Sequence, residues 1–216
     1  MAQFKATLAR GWDWIKANKP RCESCSLNGD ELKNASEGRK RMATNDLNFD
    51  PTKFTSARLQ TEGWMKFTDP PEKIFALLAD HKGMTQWLPL LKKVTVTHTQ
   101  EVAPGESAVG TARKMVFEGG ITLVETVVFW NPPLCYAYGT KGKVFPLQNY
   151  IGFMGVEPDK KGGGKFIFRE YFDVQGRVKQ AILPHGVVPP MRIAMRKLCK
   201  LIGGTEYEVK HVKAPH

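Results

Sequence analysis

Two periodicities divide the chain. From Phe54 onward, apolar and polar residues alternate in short runs broken by turn residues, which is the pattern of strands. Near the N-terminus the spacing is helical instead. Phe4, Leu8, Trp12 and Ile15 fall on one face of residues 3–17, Lys5, Arg10 and Lys16 lie off it, and Pro20 stops the helix. Residues 21–51 are polar with few large apolar side chains, which predicts a linker or weakly ordered arm.

The alternation predicts a strand over 55–67, with Ala57, Leu59, Thr61, Gly63, Met65 and Phe67 on one face and Trp64 on the other. Asp69-Pro70-Pro71-Glu72 reads as a helix start, an acid placed to cap followed by proline in the first turn. That helix covers 72–79; Gly83 breaks it, and a second short helical segment over 84–91 contains Trp87. Six strands follow, at 93–100, 112–117, 122–130, 135–140, 149–156 and 165–174, separated by Pro104-Gly105, Gly119-Gly120, Asn131-Pro132-Pro133, Lys141-Gly142-Lys143 and Gly162-Gly163-Gly164. A last helix over 190–202 starts after Pro189-Pro190 and stops at Gly203-Gly204. Strands joined in succession by hairpins form an antiparallel sheet. The expected architecture is therefore α+β: a curved seven-stranded antiparallel sheet, two short helices, and a C-terminal helix over the concave face. Such a grip leaves space between helix and sheet for a ligand. The expected organisation is an arm over 1–53, a ligand-binding domain over 54–204 and a tail over 205–216.

Composition adds boundaries. With 42% hydrophobic and 25% charged residues, the chain is of ordinary globular make-up, not collagen-like or wholly disordered. No run approaches the roughly 18 apolar residues that cross a bilayer, and no signal-peptide pattern opens the chain. The four cysteines (Cys22, Cys25, Cys135, Cys199) are too few and scattered for a disulfide framework. A cytoplasmic protein, with or without peripheral membrane contact, is expected. The net charge of +11 sits at the ends: net +3 over 1–53, +2 over 54–176 and +6 over 177–216. A basic end attracts any polyanion, so the sign alone names no partner.

Several chemistries drop out. Histidines 81, 98, 185, 211 and 216 show no metal-ligand spacing. Cys22-x-x-Cys25 lacks a second Cys/His pair and a thioredoxin-like context, so neither a metal site nor a redox site is expected. The glycine run at 162–164 lacks the Lys-Ser/Thr of a phosphate loop and reads as a turn. No Ser-His-Asp arrangement can be argued, and no cofactor is expected.

The segment Pro71-Glu72-Lys73-Ile74-Phe75-Ala76-Leu77-Leu78-Ala79-Asp80, followed by Trp87-Leu88-Pro89, resembles the opening of the polyketide cyclase/START/Bet v 1-like (SRPBCC) superfamily. Val109-Gly110-Thr111-Ala112-Arg113, Glu125, Asn131-Pro132-Pro133 and Tyr136-Ala137-Tyr138 continue the resemblance, which covers about residues 55–202. It implies a helix-grip fold around a hydrophobic pocket, without naming one function, because the superfamily includes lipid carriers, receptors, cyclases and quinone-binding proteins. The closing helix read here, 190–202, is a departure, shorter than the resemblance implies. With Ala181–Pro190 broken by prolines, an irregular lid is expected.

In the fourth strand Leu123, Glu125, Val127 and Phe129 share one face, and Glu125 is a lone acid among apolar residues. The resemblance implies that Glu125 points into the cavity, and that Arg113 (beside Met115 and Phe117) and Arg169 (beside Ile167 and Tyr171) do so too. A buried carboxylate needs a partner or a raised pKa. Glu125 then either anchors a ligand's polar end, acts as a general acid/base, or forms an internal Arg–Glu pair that only fixes the sheet. Tyr136, Tyr138 and Tyr150 supply aromatic walls with polar tips, or ordinary core packing. Asn149 falls on the face opposite Tyr150. Trp87 either closes the mouth or packs beneath the short helix. The expected ligand set is Glu125, Arg113, Arg169, Tyr136, Tyr138, Tyr150, Met115, Phe117, Phe129 and Tyr171.

Arg192, Arg196 and Lys200 repeat at four along the last helix, forming a basic stripe. It reads as a solvated outer face. Alternatively, together with the stripe at 3–17, it docks on an anionic membrane surface. Nucleic acid is the weaker partner, since the stripe has no interleaved aromatic residues. The expected function is binding or transport of a small hydrophobic, lipid-like ligand. The alternative is a cyclase/aromatase-like enzyme using Glu125 as acid/base, and a third class is a receptor whose loops at Gly119-Gly120 and Val144–Leu147 close over ligand.

Overall fold

A computed structural model describes residues 47–99, 107–140, 147–174 and 176–212, within the compact unit Ala43–His216. The expected helix at 3–17, the Cys22/Cys25 pair, His185, His216 and most of the 144–147 loop lie outside what is described. Eight strands form one antiparallel sheet: β1 (Leu59–Phe67), β2 (Leu91–Thr97), β3 (Ala112–Phe117), β4 (Thr122–Asn131), β5 (Cys135–Thr140), β6 (Leu147–Pro158), β7 (Gly164–Val174) and β8 (Gly204–His211). Their order across the sheet is β2-β3-β4-β5-β6-β7-β1-β8. Helix α1 (Pro71–Ala79) follows β1, a short 3-10 turn covers Gly83–Gln86, and helix α2 (Arg177–Leu201) lies between β7 and β8. This is the curved α+β helix-grip sheet that the turn spacing predicts, with one strand more.

The extra strand is the expected C-terminal tail. Gly203 takes the left-handed conformation (φ 64°) that ends α2, and the chain then pairs with β1 from Thr61↔His211 to Phe67↔Gly204. Only Val209 of β8 is fully buried, so the segment carries almost no apolar alternation to reveal it. Backbone pairing and polar contacts such as Lys66 Nζ to Glu206 Oε2 (2.6 Å) hold this edge instead.

The last helix is also longer than expected, 25 residues rather than thirteen, and it runs through Pro184, Pro189 and Pro190. Each proline removes one backbone donor and disfavours helix before it. Burial of Val188, Ala194, Met195 and Leu198 against the sheet offsets that cost, an instance of tertiary packing overriding local propensity. Asp69 does not cap α1. Pro70 occupies the cap position, and Asp69 Oδ2 takes Lys73 Nζ at 2.5 Å.

The sheet has a core on each face. On the inner face Met65, Phe67, Ile74, Leu78, Phe166, Phe168 and Leu198 pack together beneath α1 and α2. On the outer face Ile151, Phe153 and Tyr171 are covered by Leu47, Phe49 and Phe54, so part of the expected arm belongs to the domain. Phe49 stacks on Phe153 with ring centroids 4.6 Å apart and on Phe54 at 5.5 Å. Three irregularities in strand pairing, at Leu59/Thr61, Val127/Phe129 and Gln148/Ile151, change which parity faces inward. Leu59 therefore packs on the outer face although Thr61, Met65 and Phe67 face in.

If residues 47–54 are part of the outer core, Phe49→Ala should destabilise the domain by about 2 kcal/mol in urea unfolding. An unchanged midpoint would return the segment to the arm.

Candidate functional site

Between the inner face of the sheet and α2 lies a cavity of about 430 Å³. This is within the range of roughly 300–1,000 Å³ typical of small-molecule sites. Met115, Phe117, Leu123, Met154, Phe166 and Phe168 form its sheet wall, and Val187, Met191, Ala194 and Met195 of α2 form its roof. Met84, Trp87, Leu88, Pro89 and Leu90 close one side. Trp87 is thus a buried wall residue. The polar groups that reach this lining are few: Arg113, Glu125, Tyr138, Tyr150 and Glu170, with the Trp87 indole.

Arg113 and Glu125 are paired directly across β3 and β4 in the strand register. Arg113 Nε and Nη2 donate to Glu125 Oε2 at 2.7 and 2.6 Å, and both side chains are buried. The guanidinium also lies over the Tyr138 ring, 4.0 Å from its centroid, and Nη1 contacts His81 Nδ1 at 3.2 Å and Met84 Sδ at 3.1 Å. A guanidinium only donates, so His81 Nδ1 accepts and its proton sits on Nε2, which donates to Ser107 Oγ at 3.3 Å. Burial first, then the charges of Arg113 and His98, push the His81 pKa down to about 3, so the ring is neutral. Burial pushes Glu125 up while Arg113 pulls it back, and Glu125 makes Arg113 hold its proton more tightly than in water. Two short charge-assisted bonds from Arg113 converge on one oxygen and offset part of the burial cost, and the Glu125 pKa still lies above its ordinary value.

The other tyrosines divide. Tyr138 lies over Gly152, where even a Cβ would come within 2.3 Å of the ring. Tyr136 is wholly buried behind the cavity, where its hydroxyl donates to the Leu78 carbonyl at 2.7 Å, so it is core and not lining. Tyr150 lines the cavity and donates to Glu170 Oε1 at 3.1 Å. Glu170 was not among the residues expected from the sequence. It faces inward because β7 presents Phe166, Phe168, Glu170 and Phe172 to the core, the parity opposite to that of Arg169 and Tyr171. Burial lifts the Glu170 pKa to about 7; the Tyr150 hydroxyl pulls the other way, the Glu125 charge raises it further, and the nearby Thr61 hydroxyl lowers it.

Besides Tyr136, three expected site residues lie off the cavity. Arg169 is on the outer face, donating to Glu62 Oε1 at 3.1 Å, and Tyr171 packs in the outer core. Phe129 packs there too, because the irregularity after Val127 shifts it outward and turns Trp130 inward against Phe75 and Tyr136. Asn149 is exposed, with Nδ2 donating to Asp173 Oδ2 at 2.8 Å. The inward face of β7 was legible as an alternative parity; only the partners across β6 and β1 select it. Among the described residues no cluster of three or more His, Cys, Asp and Glu is placed to hold a metal, and no helix is long and apolar enough to cross a membrane.

A curved sheet gripping a helix around an apolar cavity defines a helix-grip protein with a ligand-sized pocket. The family described as "Polyketide cyclase / dehydrase and lipid transport" matches residues 65–203, and the chain belongs to it. Among solved structures, the ZhuI aromatase/cyclase of Streptomyces sp. R1128 is similar at a TM-score of 0.55 and 12% identity, over 68% of this chain and 94% of that one. The XoxI protein of Bacillus cereus is similar at 0.52 and 20% identity, over 67% of this chain and 96% of that one. An uncharacterised protein of Bacillus thuringiensis is similar at 0.51 and 18% identity, over 66% and 98%. At these identities the likeness is one of fold. No curated protein matches in sequence.

Removing one member of the ion pair leaves a buried unpaired charge. Arg113→Met or Glu125→Leu alone should therefore each cost about 3–5 kcal/mol, and the double variant much less than their sum. Additive losses in a denaturation cycle would show that the two are not coupled. Glu170 makes a separate, pH-dependent contribution. Its pKa rises from 4.5 unfolded to about 7 folded, so the folded state binds the extra proton and stability falls as pH rises through that window. His81 acts oppositely, costing stability as pH falls below 6.5 towards 3. Comparing Glu170→Gln with the parent cancels the histidine. The variant should gain relative stability between pH 4.5 and 7, by about 3 kcal/mol in all; a pH-independent difference would contradict this.

Proposed function

We propose that the protein binds and carries a small, mostly apolar ligand in the cavity beneath α2, without transforming it. The observation that carries this reading is the pairing of Glu125 with Arg113. A general acid/base must exchange its proton with a substrate, and a carboxylate held by two charge-assisted bonds is poorly suited to that. The alternative of a cyclase-like enzyme using Glu125 is correspondingly weakened. The apolar walls suit a lipid-like or polycyclic body, and the family described above includes lipid transport. Arg192, Arg196 and Lys200 are exposed on α2 beside Ile193 and Leu201, an arrangement that suits contact with an anionic membrane where a carrier would exchange its cargo.

Native mass spectrometry of gently purified protein, followed by extraction, tests the reading. A stoichiometric apolar molecule recovered unchanged on incubation is the expected result. Ala194→Phe, which places a ring in the roof of the cavity, should abolish its retention. A ligand that is retained by the filled variant, or chemically converted by the parent, would overturn the carrier reading.

A further inference from the structure

The cavity holds two acids, and the structure treats them differently. Glu125 has its cation. Glu170 makes no ion pair among the described residues, although it is buried and lines the same cavity. Its Oε1 accepts from Tyr150, while its Oε2 is buried without a hydrogen-bond partner. The Thr61 hydroxyl, opposite Glu170 in the strand register, is near enough to lower its pKa but makes no hydrogen bond to either oxygen. The only other orphaned side-chain atom among the wall residues is the Trp87 indole nitrogen. An apolar side chain at position 170 would line the cavity at no such cost. Buried polar groups with unmet capacity are uncommon in folded proteins and ask for a partner that the chain itself does not supply.

The sign of the missing partner follows from the electrostatics. Arg113 is engaged by Glu125, so the cavity has no spare positive charge to receive an anion. A ligand carboxylate brought near Glu170 would meet a second acid in a low-dielectric space. A hydroxyl, by contrast, donates to Oε2 and fills the vacancy without adding charge. We propose that Glu170, steadied by Tyr150, is the polar station of the cavity and selects hydrophobic ligands whose polar end is a hydroxyl, such as phenols and polycyclic alcohols, against fatty acids and other carboxylates. This rests on the reading that the cavity binds an apolar ligand, and it names the ligand's polar end.

Three probes of one shape separate the two claims: naphthalene, 2-naphthol and 2-naphthoate, titrated calorimetrically or by ligand-observed NMR against the full chain at about pH 8, above the Glu170 pKa of about 7, where its carboxylate is mostly ionised. The parent should bind 2-naphthol at least about tenfold more tightly than either of the others. Glu170→Met should bind naphthol and naphthalene alike. Glu170→Gln keeps an acceptor but loses the charge, and should retain the preference for naphthol over naphthalene while relaxing the exclusion of naphthoate. Equal binding of naphthol and naphthalene by the parent, or tighter binding of naphthoate, overturns the station at Glu170 and leaves the apolar cavity as a binding site. Failure of naphthalene and naphthol alike to bind overturns the cavity reading and this inference with it. Should the Met variant not fold, the naphthoate result with Glu170→Gln decides.

Discussion

A charge taken out of water must find its opposite, and the inner face of this sheet is organised around one such pair. Arg113 and Glu125 sit opposite each other on neighbouring strands, so the backbone register that builds β3 and β4 also brings the charges together. Around the guanidinium, His81, Met84 and Tyr138 take the directions the carboxylate leaves open. These contacts offset part of the cost of desolvating the guanidinium. The tautomer of His81 follows from the same requirement, while burial together with the Arg113 charge keeps its ring neutral.

Once that pair is satisfied, the rest of the cavity can be apolar, and its one remaining acid stands out. Glu125 and Glu170 are the same residue type on the same surface with opposite environments: one with a cation and two short bonds, the other with a single tyrosine hydroxyl. Environment and not identity separates the two acids. The roof over both is the part of α2 that contains Gly186, Pro189 and Pro190. Prolines there remove backbone donors, so this stretch is held more by side-chain packing than by its own hydrogen-bond ladder.

The sequence alone was enough for the order of elements from β1 to α2, though not for β8. Turn residues at fixed intervals gave the hairpins, and the strand bounds at 112–117 and 135–140 agree with β3 and β5 residue for residue. Local alternation also isolated Glu125 as an acid in an apolar strand, and Arg113, Met115, Phe117, Tyr138 and Tyr150 all reach the cavity wall. What failed was parity. A side-chain period of two is reversed by a single extra residue, so the irregularities beside Leu59 and Val127 moved Leu59 and Phe129 to the outer face. In β7 both faces are apolar enough to be buried, and only pairing with β6 and β1 turns Glu170 inward and Arg169 out.

The remaining differences have the same origin. β8 is an edge strand with one buried side chain, and Leu47 and Phe49 are two apolar residues in a polar stretch; neither segment has a pattern strong enough to announce itself. The long course of α2 goes against its own prolines and exists because the sheet beneath it offers an apolar surface. The sequence by itself determined the antiparallel sheet, its turns and the lone acid in β4, because those depend on neighbours along the chain. Tertiary structure alone decided which faces turn inward, which acid has a cation and which does not, because those depend on partners distant in sequence.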